Sequence, residues 1–287
     1  MPSSDHQKSY AVVADQLRQA STFLFVPGNR PDRFQSAARS QADVVIMDLE
    51  ASVHPLSKGV AREQVSLWLA AHSPGIPTLV RLNRPETPDA MLDLQALATI
   101  AGIGLMCSGA EIGPNLDRIL KAALGQFPVV LLIETALGVE QANQLATLPG
   151  VCRLAFGNMD YATELNLGRE GWGLIYPSSR LVVASKCAGL AAPIAGVTAS
   201  IRDRQAIDRD AKFERSLGFG AKMCIHPEQV PWVHEAFEPS EQELAWARRI
   251  IEATAESHAI GLDGEMVDRP VIERARRILA RAKTQAD

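Results

Sequence analysis

Two apolar runs in this chain end in carboxylates. Val129 to Ile133 leads into Glu134 and Thr135, and Leu154 to Phe156 leads through Gly157, Asn158 and Met159 to Asp160. The two acids are 26 residues apart, the length of one strand, one helix and two short loops. That spacing places them at the ends of neighbouring parallel strands, facing one mouth. Two carboxylates so placed suit a hard divalent cation, which takes oxygen ligands and leaves its other positions to water or substrate. The local alternative makes Glu134 a cap of the next helix and Asp160 a turn residue. Read together, the pair favours the metal.

The elements needed to hold such a pair are visible along the chain. Apolar, β-rich runs recur at Thr22–Val26, Asp43–Met47, Thr78–Leu82, Ile103–Met106, Pro128–Ile133, Cys152–Phe156, Ala192–Val197 and Ala221–Ile225. Between them lie segments of spaced Leu, Ala and Val with Arg, Glu and Gln, which read as helices. Eight strands alternating with helices predict a (β/α)8 TIM barrel, whose active sites form at the C-terminal ends of the strands. The chain's 287 residues, 47% hydrophobic, suffice for one such core. Residues 1–20 are assigned to an N-terminal extension, 21–236 to the barrel and 237–287 to a helical C-terminal extension. After Pro227 only helices are expected. Ser240 and Glu243 make a capping-box start, and Gly261-Leu-Asp-Gly264 breaks the pattern before a basic terminal helix. This extension is long enough to reach a neighbouring subunit.

Composition removes several function classes. A formal net charge of −4 with no basic block disfavours nucleic acid as a partner. The first 20 residues lack the continuous apolar core of a signal peptide, and no run is long enough to span a bilayer, so a cytoplasmic protein without a membrane partner is expected. Cys107, Cys152, Cys187 and Cys224 are widely separated and lack metal or disulfide spacing. They read as reduced core thiols, with no cysteine nucleophile.

Seven motifs in order give the chain a resemblance to a known family. They are Phe23-Leu-Phe-Val-Pro-Gly28 with Arg30 and Arg33, Asp48-Leu-Glu50, Val80-Arg81-Leu-Asn83, Ile133-Glu134-Thr135, Phe156-Gly157 to Asp160, Gly218 to Pro227, and Gly264-Glu-Met-Val-Asp268-Arg-Pro270. Nearly end to end, the chain resembles the citrate lyase β-subunit-like branch of the HpcH/HpaI aldolase superfamily, which includes malyl-CoA and citramalyl-CoA lyases. The resemblance implies Mg2+, replaceable by Mn2+, held by Glu134 and Asp160. It implies catalytic roles for Arg81, Glu50 and Asp268, the last entering a neighbouring subunit's site in a trimer or hexamer. It further implies substrate or CoA contacts from Arg81, Arg30 and Gly157. The implied reaction cleaves a small 3-hydroxyacyl-CoA to an α-keto acid and an acyl-CoA.

Each of these side chains also has a structural reading. Arg81 can clamp a substrate carboxylate or pair with Asp48 or Glu50. Asp268 can be a helix N-cap before Pro270. Arg33 reads as a solvated helix residue. Lys222, inside a strand, needs a partner, and an ion pair with Asp48 or Glu50 is expected over a Schiff-base role. The chain also departs from the family pattern. Ala51 stands where relatives carry Asp, Cys107-Ser108 where they carry Pro-Lys, and Ala195 where they carry Asp. This divergent member therefore has three rival readings: a metal aldolase on free hydroxy-keto acids, an acyl-CoA thioesterase, and a non-catalytic subunit of a lyase complex.

Overall fold

Runs of residues buried on both faces are what a parallel sheet covered by helices requires. β2, β3, β4, β5 and β8 are buried throughout their length. The computed structural model describes residues 4–72, 75–168, 171–254, 260–262 and 265–283. The chain divides into two compact units, Met1–His234 and Glu235–Asp287.

The first unit begins with α1 (Ser4–Gln19) and β1 (Thr22–Pro27), then α2 (Pro31–Ala38), β2 (Val44–Asp48), α3 (Lys58–Ala71), β3 (Thr78–Leu82), α4 (Pro88–Leu97) and β4 (Ile103–Cys107). It continues through α5 (Pro114–Ala123), β5 (Val129–Ile133), α6 (Ala136–Glu140), α7 (Ala142–Leu145), β6 (Val151–Phe156), α8 (Asn158–Glu164), α9 (Ile175–Cys187), β7 (Ile194–Ala195), α10 (Arg204–Leu217) and β8 (Ala221–Cys224). The eight strands pair in sequence order, and β8 returns to β1, closing a (β/α)8 barrel. Side chains alternate across the strands. Phe23, Ile46, Leu79, Met106, Val130, Leu132 and Met223 pack together in the interior core. Carried two residues further, the same alternation turns Asp48, Arg81, Ser108 and Glu134 inward at the C-terminal ends.

Helix α1 closes the opposite end of the barrel. Its Val13 and Leu17 join the interior cluster. Below it, the fully buried Arg153 of β6 donates from Nη1 to the carbonyls of Leu17 (2.8 Å) and Ala20 (2.7 Å) and from Nε to that of Ala192 (2.7 Å). A cation suits the carbonyl end of a helix, where the unpaired acceptors concentrate partial negative charge.

Strand β7 is shorter than the Ala192–Val197 run predicts, reduced to Ile194–Ala195. Pro193 has no N–H for the ladder. Beyond the strand, Asn158 takes over the pairing: Val197 N donates to its Oδ1 and its Nδ2 donates to Val197 O, both at 3.0 Å.

α11 (Gln229–Phe237) spans the boundary between the units. The second unit holds α12 (Glu241–Ala253), β9 (Ile260–Leu262), β10 (Glu265–Val267) and α13 (Arg269–Lys283). The Ser240–Glu243 capping box is present at the start of α12. An all-helical extension was expected, but β9 and β10 pair antiparallel as a hairpin, with Glu265 opposite Leu262. Asp263 and Gly264, which carry part of the sequence break, lie outside the described residues. Ala247, Ile250, Val267, Ile272, Ala275 and Ile278 give this unit its own core. Among the described residues, no helix is long and apolar enough to cross a membrane.

Candidate active site

At the C-terminal mouth of the barrel, Asp48 and Arg81 lie opposite each other in the β2–β3 register. Arg81 donates from Nε and Nη2 to the two oxygens of Asp48, each at 2.7 Å. Its Nη1 lies 3.4 Å from Glu50, and its guanidinium lies over the Phe25 ring at 4.6 Å. Asp48 also accepts from Glu50 N at 2.8 Å, from Ser52 N at 2.9 Å and from the Ser52 hydroxyl. Burial would push its carboxyl up, but the Arg81 charge and these donors hold it below the usual range. Glu50 is shifted the other way. Burial raises it, the Arg81 guanidinium lowers it, and the neighbouring Asp48 carboxylate adds to the rise. The substrate and salt-bridge readings of Arg81 are therefore compatible. Two carboxylates fix its plane, and its side chain keeps 10% of its surface exposed.

Two strands further round, Glu134 is 2% exposed, and burial pushes its carboxyl up to about 7. Arg84 draws it down, and the nearby Asp160 adds to the rise. The helix that follows is capped by Thr135, whose hydroxyl accepts from Gly138 N at 3.0 Å. Glu134 is thereby left facing the mouth. Gly157 is the residue that admits it: a Cβ there would lie 2.4 Å from Glu134 Cβ and 2.8 Å from its Oε2. Asp160 stands in the first turn of α8, whose entry is fixed by the Asn158 pairing with Val197.

The donor chemistry fits a hard divalent cation. A buried acid pushed up to about 7 beside a second acid gains from a positive charge between them. Among the described residues, no group of three or more His, Cys, Asp or Glu converges on one point. Glu134 and Asp160 alone would supply the protein oxygens, as Mg2+ commonly accepts.

Three residues of the mouth have surroundings that sequence reasoning did not assign. Arg84, just beyond β3, donates from Nη2 to Glu134 Oε1 at 2.9 Å and lies 3.8 Å from Glu50. Its Arg-Pro sequence reads as a loop start, which hid it. Asn83 is held by the buried Asp93 of α4 through its N (2.9 Å) and Nδ2 (2.8 Å), and Arg62 clamps Asp93 from behind at 2.8 Å. Ser108 is fully buried after β4, and its Oγ has no protein partner.

Other side chains fall elsewhere. Lys222 does not pair with Asp48 or Glu50, because its strand neighbours Ala221 and Met223 take the interior positions. It points into the helix layer, donating to Glu214 of α10 at 2.6 and 2.9 Å and to Gly196 O at 2.9 Å. Arg30 is bound to Asp32 at 2.7 Å on the exposed start of α2, and Arg33 is exposed beside it. Asp268 immediately precedes α13 and accepts from Val271 N at 3.4 Å, an N-cap geometry at the outer limit of a hydrogen bond. Burial pushes the thiols of Cys107, Cys152 and Cys224 up to about 12, which suits inert core residues. Cys187 is exposed at the end of α9, where the sequence suggested a core position.

This chain is similar to known proteins over most of its length. It is 32% identical over 277 residues to a citrate lyase subunit beta-like protein of Deinococcus radiodurans, covering 90% of this chain and 95% of the relative. It is 28% identical to the (3S)-malyl-CoA thioesterase of Cereibacter sphaeroides, covering 96% and 98% of the two chains. The solved structure of CitE from Mycobacterium tuberculosis, in complex with magnesium, acetoacetate and coenzyme A, superposes with a TM-score of 0.81 at 32% identity, covering 93% of this chain and 99% of that one. The profile of one family matches residues 21–227, which the barrel accounts for almost entirely. The chain belongs to the HpcH/HpaI aldolase/citrate lyase family.

Proposed function

We propose that this protein is a Mg2+-dependent carbon–carbon lyase that cleaves a small 3-hydroxyacyl-CoA of the citramalyl-CoA, malyl-CoA or citryl-CoA type. The products are an α-keto acid and an acyl-CoA. The observation that carries this reading is the buried Glu134 beside Asp160, two strands from an Arg81 locked by Asp48. The magnesium and coenzyme A bound by the Mycobacterium tuberculosis relative support it.

Cleavage needs a base for the hydroxyl proton, a place for the carboxylate and a proton for the departing carbon. Glu50 lies 3.4 Å from Arg81, and burial raises its carboxyl above the usual range, which favours its taking up a proton. Arg81 orients the substrate carboxylate through the part of its guanidinium that Asp48 leaves open. As the hydroxyl proton passes to the base, the carbon–carbon bond breaks and its electron pair leaves as the acyl-CoA enolate. Protonation at carbon completes the acyl-CoA, and we assign that proton to Asp268 of a neighbouring subunit. Arg30 is assigned to CoA, exchanging Asp32 for a phosphate, and the Gly157 backbone lines the substrate. Mg2+, or Mn2+ in its place, would be held by Glu134 and Asp160 and would polarise the oxygen that becomes the keto group.

The test is release of pyruvate from citramalyl-CoA or glyoxylate from malyl-CoA, with Mg2+ or EDTA, alongside Glu134→Ala. Release that needs Mg2+ and disappears in the variant is expected. Absence of keto-acid release from both of these substrates and from citryl-CoA overturns the reading. The Cereibacter sphaeroides thioesterase favours one alternative. Free CoA appearing without keto acid would select it.

A further inference from the structure

Arg84 is placed where the proposed metal site and the proposed substrate site meet. It follows β3 in the loop beyond Asn83, and its guanidinium crosses the end of β4 to reach Glu134 just beyond β5. Gly109 makes that crossing possible: its φ is +57°, and a Cβ there would lie 3.1 Å from Arg84 Nη1. The Arg84 side chain is 35% exposed, whereas Glu134 is 2% exposed, so one partner of the pair reaches solvent and the other is enclosed. Arg84 also has alternative acids within reach, Glu50 at 3.8 Å and Glu86 at 3.9 Å. Arg81, in contrast, is clamped on both oxygens of Asp48 and cannot leave without stranding a buried carboxylate.

We propose that Arg84 is a placeholder cation for the metal site and a specificity determinant for acyl-CoA substrates carrying a free carboxylate. Without a divalent cation, Arg84 neutralises Glu134. When a cation takes the Glu134 oxygens, the guanidinium is repelled and turns within the mouth to join the fixed Arg81 on the substrate's carboxylate. The same exchange delays substrate capture until the metal is in place. The inference rests on the metal role proposed for Glu134, and it assigns Arg84 a part that Arg81 cannot play.

The experiment is calorimetric titration of the protein with Mg2+ alone, for the wild type, Arg84→Gln, Arg84→Lys and Glu134→Gln. A partly exposed pair of this kind resists displacement weakly, so Arg84→Gln is expected to bind Mg2+ about fivefold more tightly, while Arg84→Lys stays near the wild type. For malyl-CoA, Arg84→Gln is expected to raise KM about tenfold, as loss of a charged carboxylate contact does. The affinity for acetyl-CoA, which lacks that carboxylate, should not change. Unchanged or weaker Mg2+ binding by Arg84→Gln overturns the placeholder role, because a merely structural arginine would not oppose the metal. If Glu134→Gln binds Mg2+ as well as the wild type does, the metal reading itself fails and this inference falls with it. The two failures are read from different variants.

Discussion

At the scale of single residues, Glu134 and Asp48 are buried acids with opposite electrostatics. Burial raises Glu134 from 4.5 to about 7, so in the folded, metal-free protein it binds its proton more tightly than in the unfolded chain. The stability it contributes is fully present below about pH 4.5 and is lost as pH rises through about 7. Glu134→Gln should abolish that decline, stabilising the metal-free protein by ~3 kcal/mol at pH 8, which thermal melts across pH would register. Mg2+ affinity of the wild type should rise with pH up to about 7 and then level off, since the cation and the proton compete for the same oxygens. Asp48 behaves in the other sense. Its carboxyl is depressed, so its contribution is present at neutral pH and is lost as pH falls through its folded value. Asp48→Asn leaves Arg81 buried beside Glu50 without its bidentate partner. Denaturant melts should show a loss of ~3 kcal/mol, with keto-acid release falling at least as steeply.

At the scale of elements, the site depends on where α8 starts. Asn158 is the first residue of that helix, and its amide pairs with both backbone groups of Val197 beyond the short β7. Gly196 permits this approach, since a Cβ there would meet Asn158 Oδ1. Asn158→Ala removes both bonds and unpins the first turn that carries Asp160. It is expected to cost ~2 kcal/mol in stability and to weaken Mg2+ binding about tenfold. Calorimetry on the folded variant separates the two effects. Element structure was legible wherever apolar runs were unbroken: β5 and β3 follow their sequence signals closely, and Glu134 follows β5 directly, whereas Asp160 lies in the first turn of α8, past the end of β6. β7 was overextended because Pro193 and Gly196 weaken a ladder whose replacement, an asparagine 39 residues upstream, leaves no local signal. Lys222 was misassigned because the four residues Ala221–Cys224 do not reveal which alternate pair faces inward. Arg84 was overlooked because its reach to Glu134 depends on a missing side chain, that of Gly109 just past the next strand.

At the scale of the whole molecule, the chain carries its barrel and its C-terminal unit as separate compact bodies, each with its own core. The barrel presents Glu134, Asp160, Arg81 and Glu50, whereas the proposed proton donor Asp268 belongs to the other unit, between β10 and α13. Sequence motifs ordered these residues along the chain, but ordering does not say whether a site is completed within one chain or between two. The proposal that Asp268 acts in a neighbouring subunit, within a trimer or hexamer, has a direct consequence for mixed assemblies. Glu134→Ala and Asp268→Ala should each be inactive alone. If the two are unfolded together and refolded as a mixture, chains assort at random around a symmetric ring. A site that takes Glu134 from one chain and Asp268 from the next then recovers both wild-type residues in about a quarter of pairings, for equal amounts of each variant. Keto-acid release near that fraction of the wild-type rate is the expected result, with light scattering reporting the assembly. A mixture as inactive as its components would place Asp268 and Glu134 in the same chain's site, whereas activity of Asp268→Ala alone would remove Asp268 from the chemistry.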